Sequence, residues 1–156
     1  MSIGVYLDPR EVNLRLHSNT KDEALRELVN MIPELNGRAA EQLSLWQALA
    51  DREKLHSTAV GDGLAFPHAR NAMGSLLKKP VIVIGRHETG LDWGAADGKP
   101  AQLLFMLAAP SLSEHLHLLG QMSRVLRNAN VREDLLKAQT ADTAIEILKA
   151  AEAGLH

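Results

Sequence analysis

Apolar residues recur at helical intervals in the first third of the chain. Between residues 20 and 32 the apolar positions follow a period of about 3.6, and Thr20 and Glu23 stand at capping-box spacing. After a proline and an Asn-Gly pair, residues 38–53 repeat the helical period. The pattern therefore predicts two helices, the second of which ends near Arg52.

The middle of the chain changes to short, uninterrupted apolar runs. Residues 80–85 (PVIVIG) and 101–110 (AQLLFMLAAP) are rich in branched side chains, which is typical of buried strands. Between them the Asp97-Gly98 pair predicts a turn, and Leu91 with Trp93 is interpreted as a candidate short edge strand. This part of the chain is predicted to form a sheet.

The last third returns to the helical period. Ser111 and Glu114 have capping-box spacing, and the helix that they begin is predicted to run to Asn128. Residues 131–139 and 140–153 predict two more short helices. This order of elements predicts an α/β fold, with helices on both faces of a small sheet, in a single domain that spans the whole chain.

Composition and charge narrow the possible partners. The chain has 156 residues, of which 46% are hydrophobic and 23% charged, as in an ordinary globular protein. Its formal net charge of −2 gives no general attraction for nucleic acid or an anionic lipid surface. There is no cysteine, no leader-like N-terminus and no membrane-length apolar run, so a cytoplasmic location without membrane insertion is expected.

One histidine follows a proline within the glycine-containing stretch GDGLAFPHAR. Pro67 has a fixed φ and biases Phe66 towards extended geometry, so the backbone that enters His68 has little freedom. Gly61 and Gly63 lack a Cβ, which would let backbone N–H groups approach an anion. The alternative is that these glycines only form a turn, which His68 caps.

The same stretch has the chemistry that phosphoryl transfer requires. A neutral imidazole offers one ring nitrogen as a nucleophile, and transfer to it needs positive charge or N–H dipoles around the phosphoryl oxygens. Ser57 and Thr58 add hydroxyl donors, and Arg52 and Arg70 add positive charge. We therefore expect His68 to be a phosphoryl acceptor.

A second histidine begins the predicted helix after residue 110. His115 and His117 point in opposite directions, because two helical residues are about 200° apart. His115 shares its face with Met122 and Leu126, which places it on the buried side near a positive helix terminus. His115 is therefore the candidate partner of His68, and a satisfied core histidine is the alternative.

Other assignments of the histidines are less well supported. His68 and His115 could bind a metal with Asp62 as the third ligand, but the three residues do not have the spacing of a known zinc motif. Neither a metal nor another cofactor is therefore predicted. The remaining histidines lie among polar or terminal residues and are predicted to be exposed: His17, His56, His87 and His156.

Two segments resemble a known family: DREKLHSTAVGDGLAFPHAR and EHLHLLGQMSRVLRN. They are similar to the enzyme IIA domains of the mannitol/fructose/nitrogen type in the bacterial phosphoenolpyruvate-dependent phosphotransferase system, and the resemblance runs from about Leu14 to Leu148. It implies a mixed sheet flanked by helices. It also implies that His68 is phosphorylated by HPr or its nitrogen-branch counterpart, and that Arg52 and His115 stabilise the phosphoryl group.

The resemblance also suggests the remaining pocket residues and the biological role. Ser57, Thr58 and Gly63 match positions that shape the pocket. TKDEALRELV, EHLHLL and LLKAQTADTAIEIL look most like the nitrogen-regulatory branch, as does the lack of an attached IIB or IIC segment. This implies a regulator whose phosphorylation state selects its protein partners. The alternatives are a fructose- or mannitol-type IIA that passes phosphate to a IIB domain, and a binding module that is not phosphorylated.

The sequence departs from the commonest family pattern at AVGD, where the family often has GIGN, and at LAFPHAR, where it has IAIPHG. Two of these changes bear on phosphoryl transfer. Ala59 stands where the family often has glycine, and this removes conformational freedom. Asp62 stands where the family often has asparagine, and it is expected to place a negative charge near the incoming phosphoryl group. Both changes are expected to affect the rate of transfer more than its chemistry.

Overall fold

The apolar runs in the middle of the chain form the centre of a five-stranded sheet. The computed structural model describes residues 2–155. Its strands are β1 (Val12–Asn13), β2 (Ala59–Gly61), β3 (Leu64–Ala65), β4 (Val81–Leu91) and β5 (Ala101–Ala108). Their spatial order is β1-β4-β5-β3-β2, in which β4–β5 and β2–β3 are antiparallel and β1–β4 and β3–β5 are parallel. The mixed sheet implied by the resemblance is confirmed.

Five α-helices surround this sheet. They are α1 (Lys21–Val29), α2 (Ala39–Leu55), α3 (Leu112–Leu126), α4 (Ala129–Lys137) and α5 (Ala141–Ala153). Short 3-10 helices lie at Ile3–Tyr6, Pro9–Glu11 and Pro33–Leu35. Within residues 2–155, no helix combines the length and the apolarity needed to cross a bilayer.

The central strands are buried on both faces, which explains their continuous apolar runs. Along β4, Val81 and Val83 pack into the cluster that contains the apolar faces of α1 and α2. Ile82 and Ile84 point to the other face and pack with α3, α4 and α5. The prediction of helices on both faces of a small sheet is therefore confirmed.

Capping side chains begin two helices where the sequence predicts them. The Thr20 hydroxyl accepts from the Glu23 N–H at 3.2 Å, and the Ser111 hydroxyl accepts from the Glu114 N–H at 3.3 Å. The helix ends differ from the prediction. Helix α1 ends at Val29, because the next residues make hydrogen bonds to carbonyls three residues back in place of the last α-helical turn. Helix α2 continues three residues beyond Arg52, and α3 ends two residues before Asn128.

The segment between β4 and β5 corrects one prediction and confirms another. Leu91 is the last residue of β4, whereas Trp93 lies in the following loop with its indole fully buried, so the two do not form a separate edge strand. The Asp97-Gly98 turn is present, since Gly98 has a φ of 73° and donates its N–H to the Ala95 carbonyl at 3.0 Å.

Candidate functional site

Strand β3 and its continuation hold the backbone before His68 against the centre of the sheet. The Phe66 N–H donates to the Thr58 carbonyl at 3.1 Å, and the Pro67 carbonyl accepts from the Leu107 N–H at 2.9 Å. His68 itself pairs with Leu107 in a parallel bridge. The extended geometry expected from the proline therefore continues the sheet up to His68.

One hydrogen bond decides which nitrogen of His68 carries the proton. Nδ1 lies 2.6 Å from the Phe66 carbonyl oxygen, and a carbonyl can only accept, so Nδ1 must be the donor. In a neutral imidazole the other nitrogen, Nε2, then keeps its lone pair. The ring is only partly buried, so the arrangement presents one nucleophilic nitrogen of defined identity.

Helix α3 places His115 against this ring. His115 is 7% exposed, and the centroids of the two imidazole rings are 5.3 Å apart with a 53° angle between their planes. Burial, together with the nearby His68 ring, lowers the pKa of His115 below its usual range. The structure thus brings the two predicted histidines together, and His115 is neutral at pH 7.

Within the described residues, no hydrogen bond or ring contact joins the two predicted arginines to the histidine pair. Arg52, in the last turn of α2, donates to the His56 carbonyl at 2.5 Å and so closes the end of that helix. Arg70 is exposed, two residues after His68. Within residues 2–155, the hydrogen bond and ring contact of His68 involve Phe66 and His115.

The hydroxyl protons of Ser57 and Thr58 are already used inside the protein. Ser57 donates to the Trp93 carbonyl, and the buried Thr58 hydroxyl donates to a carboxylate oxygen of Glu53. Thr58 also accepts from the Trp93 indole N–H at 3.1 Å. In this arrangement the two hydroxyls fix the loop, whereas the sequence predicts them as free donors to a phosphoryl oxygen.

Glu53 is a site-supporting residue that sequence reasoning missed. Its buried carboxylate accepts from the Thr58 N–H at 3.1 Å and lies 3.3 Å from the Lys21 ammonium group. The Thr58 carbonyl in turn accepts from Phe66, so Glu53 supports the strand that carries His68. A signal was available, because Glu53 continues the buried stripe of Leu45 and Leu49 at intervals of four residues.

The glycines upstream of His68 form a hairpin turn, not an anion cradle. Gly61 pairs with Leu64, and the two residues between them, Asp62 and Gly63, have φ values of 57° and 78°. Two successive residues of positive φ are typical of a type I′ hairpin. Four residues of extended chain separate Gly63 from His68, a span of about 16 Å, so the structure does not bring the two together.

The expected position of the Asp62 charge, near an incoming phosphoryl group, is therefore wrong, whereas its effect on the rate of transfer stays a prediction. Its carboxylate lies at the turn, 3.9 Å from both the Lys99 ammonium and the Arg132 guanidinium. The extended chain between the turn and His68 keeps this charge away from the histidine pair. Within residues 2–155, no group of three or more metal-ligating side chains could hold an ion.

The other histidines have mixed surroundings. His17 and His56 are exposed, as predicted. The prediction for His87 is wrong, because its ring is half-buried and Nε2 donates to the Ser18 carbonyl at 2.9 Å. His117 is also half-buried, and His156 lies outside the described residues.

Comparison with known proteins finds a family match and several relatives. Residues 5–151 match the family described as phosphoenolpyruvate-dependent sugar phosphotransferase system, EIIA 2. The fructose-specific EIIA component of Haloferax volcanii is 35% identical over 131 residues, covering 83% of this chain and 82% of that protein. A nitrogen regulatory protein of Bradyrhizobium diazoefficiens is 31% identical over 150 residues, 95% of each chain. The fructose-specific EIIABC component of Bacillus subtilis is 32% identical over 95% of this chain, which spans only 23% of that protein.

Solved structures show the same architecture. The nitrogen regulatory protein IIA-Ntr of Neisseria meningitidis superposes with a TM-score of 0.81 at 28% identity, covering 94% of this chain and 98% of that one. Enzyme IIA of the mannitol system of Escherichia coli, in its complex with phosphorylated enzyme IIB, gives a TM-score of 0.78 at 25% identity, covering 92% of this chain and 97% of that one. The fold is therefore shared with both the regulatory and the sugar-specific proteins.

Proposed function

Because the chain belongs to the EIIA 2 family of the phosphoenolpyruvate-dependent sugar phosphotransferase system, we propose that it carries a phosphoryl group on His68, received from an HPr-type phosphocarrier. The observation that supports this most directly is the His68 ring, with Nδ1 bonded to the Phe66 carbonyl beside the buried His115. We also infer that residues 1–156 form one enzyme IIA domain, acting in the cytoplasm without a cofactor.

The bond to Phe66 suggests how transfer proceeds. The Nε2 lone pair of His68 attacks the phosphorus of the donor phosphohistidine in line, and the donor nitrogen leaves with the electron pair of its broken N–P bond. Nδ1 keeps its proton, so the phosphorylated His68 ring is cationic. Its N–H bond to the Phe66 carbonyl becomes charge-assisted, which stabilises the product.

His115 and the two arginines would act on the phosphoryl oxygens. A neutral, buried imidazole can donate one N–H, and this donor is strongest where water is excluded. Arg52 and Arg70 have long side chains, and we propose that they turn towards the phosphoryl group in the complex with the donor. Ser57 and Thr58 hold the loop in place, and Gly63 shapes the hairpin rather than the pocket.

A regulatory role is the first candidate for this carrier. Similarity to nitrogen regulatory proteins over nearly the whole chain supports it. Phosphorylation adds a charge of about −1.5 to −2 at His68, whose ring contacts His115 of α3. Leu112 and Leu116 are 60% and 57% exposed on the first turns of the same helix. An exposed apolar pair next to a switchable charge suits partners whose docking depends on phosphorylation.

A sugar-specific enzyme IIA is the second candidate. The fructose-specific relative of Haloferax volcanii and the mannitol enzyme IIA that binds a IIB protein support this role. In that case the phosphoryl group on His68 passes to a IIB domain. A docking module without phosphoryl transfer is the third candidate.

The first test is the intact mass after incubation with phosphoenolpyruvate, enzyme I and an HPr-type carrier. We expect one acid-labile phosphoryl adduct on the wild type and on His56→Ala, a matched control that replaces an exposed histidine, and none on His68→Ala. A folded wild type without an adduct would support the docking module. Rapid transfer from the phosphoprotein to a fructose- or mannitol-type IIB domain would support the sugar-specific role.

A further inference from the structure

A cleft lies at the other end of the sheet from His68. Its volume is about 590 Å³, and residues 14–17, the end of β4 and α4 contribute to its walls. Pockets for small ligands usually measure about 300 to 1,000 Å³, so the cleft has room for a metabolite. The residues that line it include two arginines, Arg15 and Arg86, and a single carboxylate, that of Glu88.

Arg86 is half-buried and has no acidic partner. Its Nε donates to the Leu14 carbonyl at 3.1 Å, and its Nη1 donates to carbonyls at the end of α4, among them Leu135 at 2.9 Å and Ala138 at 2.6 Å. Within residues 2–155, no carboxylate lies within ion-pair distance of Arg86. Carbonyl dipoles solvate the guanidinium charge without neutralising it, and Nη2 takes part in none of these bonds.

Arg15 adds a second positive charge to the same cleft. Its side chain is exposed, and no ion pair within residues 2–155 involves it. Burial, together with the charge of Arg15, lowers the pKa of Arg86. The two positive charges in this cleft repel each other. An anion bound between them would attract both, and this attraction would offset the repulsion.

We propose that this cleft binds a small anion carrying a phosphate group, held by Arg15 and Arg86. Guanidinium groups match phosphate oxygens in geometry, and two of them balance a phosphate dianion. Gln102 and His87 add polar groups that suit the hydroxyl groups of a phosphorylated metabolite, and three leucines complete the lining. Free inorganic phosphate has the same anchoring chemistry.

The cleft is separate from the histidine pair. Arg86 pairs with Leu103 of β5, whereas His68 pairs with Leu107 four residues further along, a distance of about 13 Å. The proposal therefore does not depend on phosphoryl transfer at His68. Binding in the cleft can be measured on a protein that cannot be phosphorylated.

The test is titration calorimetry of the full chain with inorganic phosphate, glucose 6-phosphate and AMP. We expect saturable binding of one equivalent, weakened roughly tenfold or more in Arg15→Gln because one charge-assisted contact is lost. Arg86→Gln should bind still more weakly. Arg124→Gln, which removes an exposed arginine of α3, and His68→Ala should bind as the wild type does.

Each outcome supports or overturns the proposal. Arg15→Gln decides the test if Arg86→Gln fails to fold, because the Arg15 side chain makes no structural bond within residues 2–155. Tighter binding of either organic phosphate identifies a metabolite as the ligand, and equal binding of all three identifies the phosphate group itself. No saturation by any probe at millimolar concentration, unchanged binding in Arg15→Gln, or loss of binding in His68→Ala would overturn it.

Discussion

At the scale of single residues, the Phe66 carbonyl has the greatest effect on the chemistry of the site. It is part of the backbone, so no side-chain substitution removes it, and it accepts from Nδ1 of His68 at 2.6 Å. Nothing in the sequence stretch GDGLAFPHAR specifies this contact. The sequence predicts that the backbone restricts the orientation of His68, but it cannot predict the tautomer of the ring. The hydrogen-bond acceptor is a backbone carbonyl, and the conformation of the chain determines its position.

The tautomer predicts the position of the phosphoryl group. With Nδ1 held as a donor to Phe66, the adduct should form on Nε2 of His68. Heteronuclear NMR of the ¹⁵N-histidine-labelled phosphoprotein would show phosphorus coupling to Nε2, with Nδ1 still protonated. Coupling to Nδ1 would mean that the bond to Phe66 breaks before transfer.

His115→Ala should slow phosphoryl transfer without removing the site of phosphorylation. The loss of one buried donor to the phosphoryl oxygens is expected to cost about 100-fold in rate, and His68 should still be labelled at completion. Rapid-quench measurement of the single-turnover rate, with His56→Ala as the control, tests this. Unchanged kinetics in His115→Ala would make His115 a core residue with no part in transfer.

Glu11 gives a pH-dependent prediction at the same scale. The residue is 6% exposed, one carboxylate oxygen has no hydrogen-bond partner within residues 2–155, and burial with the charge of Asp8 raises its pKa to about 7. A raised folded-state pKa means that Glu11 favours folding when protonated, and this contribution is lost as pH rises from about 4.5 through 7. Glu34 adds to the rise, whereas Lys79 and Arg10 oppose it.

Glu11→Gln should therefore be more stable than the wild type above pH 7. After allowance for screening by solvent, the gain in unfolding free energy at pH 8 is about 1–2 kcal/mol, and it should vanish near pH 4.5. Urea unfolding at the two pH values measures the difference. A gain that is equal at both pH values would show that the carboxyl group does not titrate in this range.

At the scale of elements, a glycine sets how closely α1 approaches the sheet. Gly85 lies in β4, and a Cβ at this position would come within 2.7 Å of Leu16 Cδ1 and 2.8 Å of Leu28 Cδ2. Both side chains belong to the core cluster on the α1 face. The close contact is invisible in the sequence, where residues 80–85 predict only a buried strand.

Gly85→Ala should destabilise the fold by about 1–3 kcal/mol, because an added methyl group overfills this core. Gly120→Ala is the matched control, since Gly120 is exposed in α3 and a Cβ added there would meet nothing within 4 Å, so alanine should stabilise by about 0.5–1 kcal/mol. Denaturant unfolding of the two variants would show opposite signs. Equal stability of Gly85→Ala and wild type would show that α1 can shift at little cost.

Element prediction succeeds where local patterns are strong. The caps Thr20 and Ser111 and the apolar faces behind them specify α1 and α3 within a few residues. Strands β2 and β3 have three and two residues, too few for a period to appear. Strand β3 is identified by its pairing with the distant strand β5, and β2 by its pairing with β3. The Asp62-Gly63 pair is itself a hairpin signal, which the anion-cradle interpretation overlooks.

At the scale of the whole molecule, the site is assembled from segments distant in sequence. His68 follows β3 and His115 lies in the first turns of α3. Strands β4 and β5 come between these two segments in the sequence, so the two rings meet only when the sheet has formed. Helical periodicity places His115 on a buried face and makes it a candidate partner of His68, but only the fold brings the two rings into contact. Glu53 shows the same limit, since its partners Thr58 and Lys21 come from different elements.

The short outer strands have a further consequence for association. Strands β1 and β2 form the two edges of the sheet with only two and three residues, and β2 also contains a register shift between Ala59 and Gly61. A sheet edge recruits another chain when it offers a long, regular row of unpaired N–H and C=O groups, and strands β1 and β2 are too short to form such a row. We therefore expect partners to recognise side chains, and the short edges protect the fold from edge-to-edge aggregation.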